Sequence, residues 1–109
     1  MLRIQYSPET VDRLKEIRRI LGINTYKNIR ESISGLSTTP QKGALVENYI
    51  EIPNPYRFLH VSQHYVFYRI DENTSVVKIT DIFSEREDFL RTMFGVSLRT
   101  QESLDYWKE

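Results

Sequence analysis

Apolar positions change their period along this chain, and the changes mark its elements. From Leu2 to Tyr6 they alternate, with Leu2, Ile4 and Tyr6 on one side and Arg3 and Gln5 on the other. That is the pattern of a half-buried strand. Ser7-Pro8-Glu9 then reads as a helix start. Ser7 can cap free amides, Pro8 suits the first helical position and Glu9 favours the positive end of the dipole. Val11, Leu14, Ile17 and Leu21 follow at helical spacing, and Gly22 stops the helix. A second helix, capped by Asn24 or Thr25, carries Tyr26, Ile29, Ile33 and Leu36 on one line. Its support fades after Ser32, because Ser34 and Gly35 are poor interior residues. Two amphipathic helices with a short link predict an antiparallel hairpin that needs another layer to cover its apolar stripe.

The second half of the chain is strand-like. Ser37–Gly43 is a loop, without an apolar residue and with Pro40 and Gly43 in it. Ala44–Ile52 is a strand candidate, broken by Pro53-Asn54-Pro55. Tyr56–Val61, His64–Ile70 and Val76–Phe83 are further strands, joined by Ser62-Gln63 and by the polar segment Asp71–Ser75. A helix begins at Ser84-Glu85, turns Phe89, Leu90 and Met93 inward, and stops at Gly95. The predicted order is β-α-α-β-β-β-α, an α+β domain in which a helical hairpin packs on a small antiparallel sheet. Residues 1–95 form that single domain. Residues 96–109 are a tail, docked through Leu98, Leu104, Tyr106 and Trp107 or flexible.

Composition narrows the function. The chain has 109 residues, enough for one core, and 28% of them are charged. Its formal net charge is zero, without the basic excess by which general nucleic-acid binders neutralise phosphate. There is no cysteine, which excludes disulfides and thiolate chemistry. No apolar run is long enough to span a membrane, and the first residues lack a signal-peptide centre, so a cytoplasmic protein is expected. No metal-ligand spacing, glycine-rich phosphate loop or nucleophile elbow occurs, and no cofactor or metal is expected.

General acid–base work on RNA is the enzyme class left open, and it needs a proton acceptor, a donor and cations. The available groups are Arg57, His60, His64, Tyr65, Tyr68, Arg69, Lys78 and Arg86, with His60, His64, Tyr65 and Arg69 as the catalytic candidates. Alternation puts His64, Val66, Tyr68 and Ile70 on one face of their strand and Tyr65, Phe67 and Arg69 on the other. Neither face alone collects a histidine, an arginine and a tyrosine in a convincing set. Arg69, Lys78, Arg86 and Arg91 can form a basic partner-binding face, or simply a solvated surface among Asp71, Glu72, Asp81, Glu85 and Glu87.

The stretch YRFLHVSQHYVFYRIDENTSVVKITDIFSEREDFLRTMFG, from Tyr56 to Gly95, resembles the C-terminal half of the RelE/ParE toxins, and HYVFYRID is closest to the ParE side. SPETVDRLKEI resembles that family's first helix, and Pro40 with Gly43 resembles the P-x-x-G connection before its sheet. The resemblance implies a toxin of a type II toxin–antitoxin, plasmid-stabilising pair, neutralised by a cognate antitoxin that wraps it. RelE-type members are ribosome-dependent messenger-RNA endonucleases; ParE-type members act against DNA gyrase. This chain departs from the nuclease pattern, and at Asp81 and Ser84 from the ParE pattern too. Tyr65 and Asp81 stand where the nuclease pattern has arginines, Ser84 matches a position where ParE relatives often carry histidine, and the tail containing Tyr106 is acidic. The expectation is therefore a ParE-like toxin acting by protein binding, with a RelE-type nuclease or a relative without toxicity as the alternatives.

Overall fold

The computed structural model describes residues 1–87. Strand β1 (Arg3–Tyr6) leads into α1 (Pro8–Leu21), α2 (Ile23–Ser34), a short β2 (Ala44–Leu45), α3 (Glu47–Ile50), β3 (Tyr56–Val61), β4 (His64–Asp71) and β5 (Val76–Ser84). The fold class is the expected α+β arrangement. Five strands form one sheet in the order β1-β5-β4-β3-β2. β2 to β5 are antiparallel, but β1 pairs parallel with β5, Arg3 opposite Val76 and Tyr6 opposite Ile79, so the sheet is mixed. Alternation identifies a strand without naming its partner, which is why the parallel edge was not foreseen.

Ser7 fixes this corner. Its Oγ accepts from the Thr10 amide at 3.1 Å and donates to the Thr80 carbonyl at 2.7 Å. Thr10 Oγ1 donates in turn to the Ile79 carbonyl at 3.2 Å. Thr10, Leu14 and Ile17 are therefore the residues α1 buries, while Val11 and Leu21, expected inside, are exposed. The hydroxyl draws Thr10 onto β5 and rotates the helix away from the purely apolar line. Gly22, at φ 96°, ends α1 and starts α2 as a single linking residue. Its carbonyl accepts from the Tyr26 amide at 3.3 Å, so neither Asn24 nor Thr25 serves as the cap.

Two clusters cover the two sheet faces. On the helical side, Leu14, Ile17, Ile29, Ile33 and Leu36 pack on Leu59, Val66, Tyr68, Val77, Ile79 and Ile82. On the other side Val46, Ile50, Phe67 and Phe83 pack together, with Tyr56, Phe58 and Tyr65 around them. Here the expected strand Ala44–Ile52 is corrected. Only its first two residues pair with β3, and Glu47–Ile50 turn into a helix that ends at Glu51 in the left-handed region. Val46 and Ile50 are four apart, so a helical turn sends both into the cluster, which an alternating strand would also do at the cost of a longer edge. Ser84 closes β5 opposite His64, and Glu85-Arg86 form a turn, so the helix expected from Ser84 does not begin there. Its residues from Asp88 onward, and the tail, lie outside the described residues.

Candidate functional site

The two histidines lie on opposite sides of the sheet. His60 pairs across β3 and β4 with Tyr65, and their rings stack at 4.9 Å and 20°. His60 Nε2 also hydrogen-bonds with the Glu85 carboxylate at the surface. Burial raises the Tyr65 hydroxyl above its ordinary pKa, and the negative charge of Glu85 adds to that. His64 instead points toward the helices. Its Nδ1 lies 2.7 Å from the Ser62 carbonyl, which can only accept, so Nδ1 carries the proton. The ring lines a cavity of about 160 Å³ together with Ile17, Ile20, Leu21, Arg13 and Glu87.

Arg69 belongs to a third place. It shares the face of Tyr65 but lies four residues along β4, about 13 Å away at strand rise. Across the sheet it faces Tyr56 and Lys78. Lys78 is bound to Asp71, Nζ to Oδ2 at 3.2 Å, and that hydrogen bond is the main reason the Asp71 carboxyl is held below its usual pKa. Arg86 emerges at the far end of β5 from Lys78. The expected basic face of Arg69, Lys78 and Arg86 is thus split and partly neutralised; Arg91 lies outside the described residues.

Two other candidates hold the loop before β2. Tyr68 is fully buried, accepts from the Gly43 amide at 2.8 Å and donates to the Pro40 carbonyl at 2.7 Å. Arg57 Nη1 donates to the carbonyls of Gly43 and Gln41 at 2.9 and 3.2 Å. Asp81 stands beside Arg13 of α1. Burial, above all, pushes its carboxyl above the usual carboxylate range; Glu9 and Glu87 add to this, against the Ile82 amide and Arg13. Among the described residues no group of three or more histidines and acids is placed to hold a metal.

One further cluster contains none of the residues expected at a site. Arg18 and Arg30 lie against Tyr26, and Arg30 also lies over Tyr6. Its one local signal in the sequence is the four-residue spacing of Tyr26 and Arg30.

The model of the family described as "ParE toxin of type II toxin-antitoxin system, parDE" matches residues 4–89, well over half of the chain. The chain belongs to the ParE toxin family. It is a toxin of the type II toxin–antitoxin class. No curated protein matches it. Solved structures resemble this ParE-family chain in fold. The chromosomal ParDE system from P. aeruginosa is 16% identical with a TM-score of 0.58, covering 77% of this chain and 96% of that one. The intact E. coli RelBE toxin–antitoxin complex is 9% identical at a TM-score of 0.59, covering 80% and 100%. The isolated E. coli RelE toxin is 10% identical at 0.62, covering 97% and 98%. At these identities the likeness is one of fold.

Proposed function

We propose that this ParE-family chain acts by binding a protein target, with DNA gyrase as that target, and that a cognate antitoxin restrains it. The dispersal of the acid–base candidates carries the reading. His64 faces the helices, His60 and Tyr65 share the other face, and Arg69 sits about 13 Å along the strand. RNA cleavage needs a base, an acid and a cation around one phosphate. Where a nuclease pattern has cations this chain carries Tyr65 and Asp81, the latter among Glu9, Glu87 and Arg13.

Exposed apolar residues support an antitoxin that buries surface. Ile20, Leu21 and Ile23 stand exposed at the α1–α2 link, as do Tyr49 within α3 and Ile52 just beyond it. Such patches are where partners dock. The antitoxin in the ParDE and RelBE complexes is the precedent for this kind of partner. No helix among the described residues is long and apolar enough to cross a membrane.

The test is growth arrest on induction, in the chain and its variants. His60→Ala should keep the toxicity. So should His64→Asn, which keeps an amide donor near Nδ1. Arg86→Ala or Arg91→Ala should weaken it. A loss of roughly 100-fold or more in either histidine variant, the scale of a missing general acid or base, would favour the nuclease.

A further inference from the structure

A groove of about 300 Å³ opens on the helical side, away from His60, Tyr65 and Arg69. Lys15, Arg18 and Arg30 line it. All three are exposed, and none has a carboxylate within 4 Å among the described residues. Asp12, Glu16 and Glu31, their acidic neighbours in sequence, do not line the groove. A chain of zero net charge thus gathers uncompensated positive charge at this spot.

The guanidiniums are held by aromatic rings rather than by acids. Arg30 Cζ lies 5.2 Å from the Tyr6 ring centre and 5.7 Å from that of Tyr26; Arg18 Cζ lies 5.6 Å from Tyr26. Arg30 Nη1 donates to the Tyr26 hydroxyl at 3.0 Å. Stacking fixes a guanidinium while leaving most of its N–H edge free for a planar anion. It also sets Arg18 over Tyr26 and Arg30 over Tyr6, so a nucleobase meets an arginine where it would stack on those ring faces. The floor is aliphatic, made by Val11 and Leu14. From Val11 to Arg18 the lining runs about 10 Å along α1, longer than a single phosphate requires.

We propose that this groove docks an acidic peptide segment of a protein partner, with its carboxylates on Lys15, Arg18 and Arg30 and an apolar side chain on Val11 and Leu14. Charge complementarity, the occupied tyrosine faces and the apolar floor favour a peptide over a nucleotide. Contacts of this kind steer association and weaken with salt.

The experiment is fluorescence anisotropy of a fluorescein-labelled peptide of Glu-Leu-Leu-Glu repeats titrated with the full chain. Saturable binding is expected at low salt, weakening as NaCl rises. The R18Q/R30Q pair should bind about 10-fold more weakly, and Lys15→Gln should show a smaller loss. A peptide with every Glu replaced by Gln should fail to bind. Circular dichroism melting reports whether the variants fold. If R18Q/R30Q is unstable, Lys15→Gln and the Gln peptide decide the matter. The proposal is overturned by no binding, by equal binding of the Gln peptide, or by folded variants that bind as well as the parent. It is also overturned if AMP displaces the labelled peptide at lower concentration than the unlabelled peptide does.

Discussion

The buried hydroxyl of Tyr68 receives the Gly43 amide at 2.8 Å and passes its own proton to the Pro40 carbonyl at 2.7 Å. One core side chain thereby closes the loop that leads into the sheet. A Cβ at Gly43 would stand 2.5 Å from the Tyr68 hydroxyl oxygen and 2.8 Å from the Phe58 carbonyl. Glycine is needed for close approach, since Gly43 has ordinary extended dihedrals. Gly43→Ala is expected to cost about 1–3 kcal/mol through overpacking. Tyr68→Phe should cost a similar amount by leaving the buried Gly43 amide without its acceptor. Urea denaturation measures both, and wild-type midpoints would show that the loop gives way freely.

Phe67 is fully buried on the opposite face from Tyr68. It lies 5.8 Å from the rings of both Phe58 and Phe83. Phe67→Ala should therefore lower stability by roughly 3–5 kcal/mol, read from the shift of the urea transition. A loss under 1 kcal/mol would mean that the second cluster contributes little to the fold.

The β3–β4 turn holds two non-glycine residues in the left-handed region, Ser62 at φ 49° and Gln63 at φ 62°. Two positive angles in a two-residue hairpin fit the turn geometry that Asn-Gly prefers. Replacing Ser62-Gln63 with Asn-Gly should stabilise the protein by about 1 kcal/mol, as relief of strain outweighs the added freedom of glycine when unfolded. Thermal melting checks the sign. A lower midpoint would show that the Ser62 and Gln63 side chains contribute more than their backbone strain costs.

Asp81 gives a pH dependence of definite sign. Burial raises its folded pKa, so the folded state takes up a proton before the unfolded state does. The resulting stability is fully present below the ordinary carboxylate pKa and is lost as pH rises through the folded value. Asp81→Asn should therefore be the more stable form at pH 7, with the difference closing at about pH 4 and below. Urea midpoints across that range report it. An asparagine variant less stable at pH 7 would show that Arg13 and the Ile82 amide outweigh burial.

Much of this fold was legible because its helices and long strands repeat local signals. Ser7-Pro8 starts α1, Gly22 ends it, and β3, β4 and β5 fall within a residue of their expected bounds. What escaped were relations between distant residues. Thr10 displaces Val11 from the core through a carbonyl on β5, and β1 finds a parallel partner more than 70 residues later. Alternation puts Phe67 and Tyr68 on opposite faces, and both are inward, the sheet being covered on both faces. The site was harder still. His60 and His64 are close in sequence but sit on opposite faces, and Arg18, Tyr26 and Arg30 meet only when the hairpin closes.

This ParE-family chain is proposed to act by binding a protein and not by cutting RNA. The direct measurement places the purified chain in two parallel assays, DNA supercoiling by gyrase and cleavage of messenger RNA on ribosomes. Inhibited supercoiling with intact messenger RNA is the expected result, unchanged by His60→Ala and His64→Asn. Ribosome-dependent cleavage that disappears in a His64 variant which still folds would contradict it.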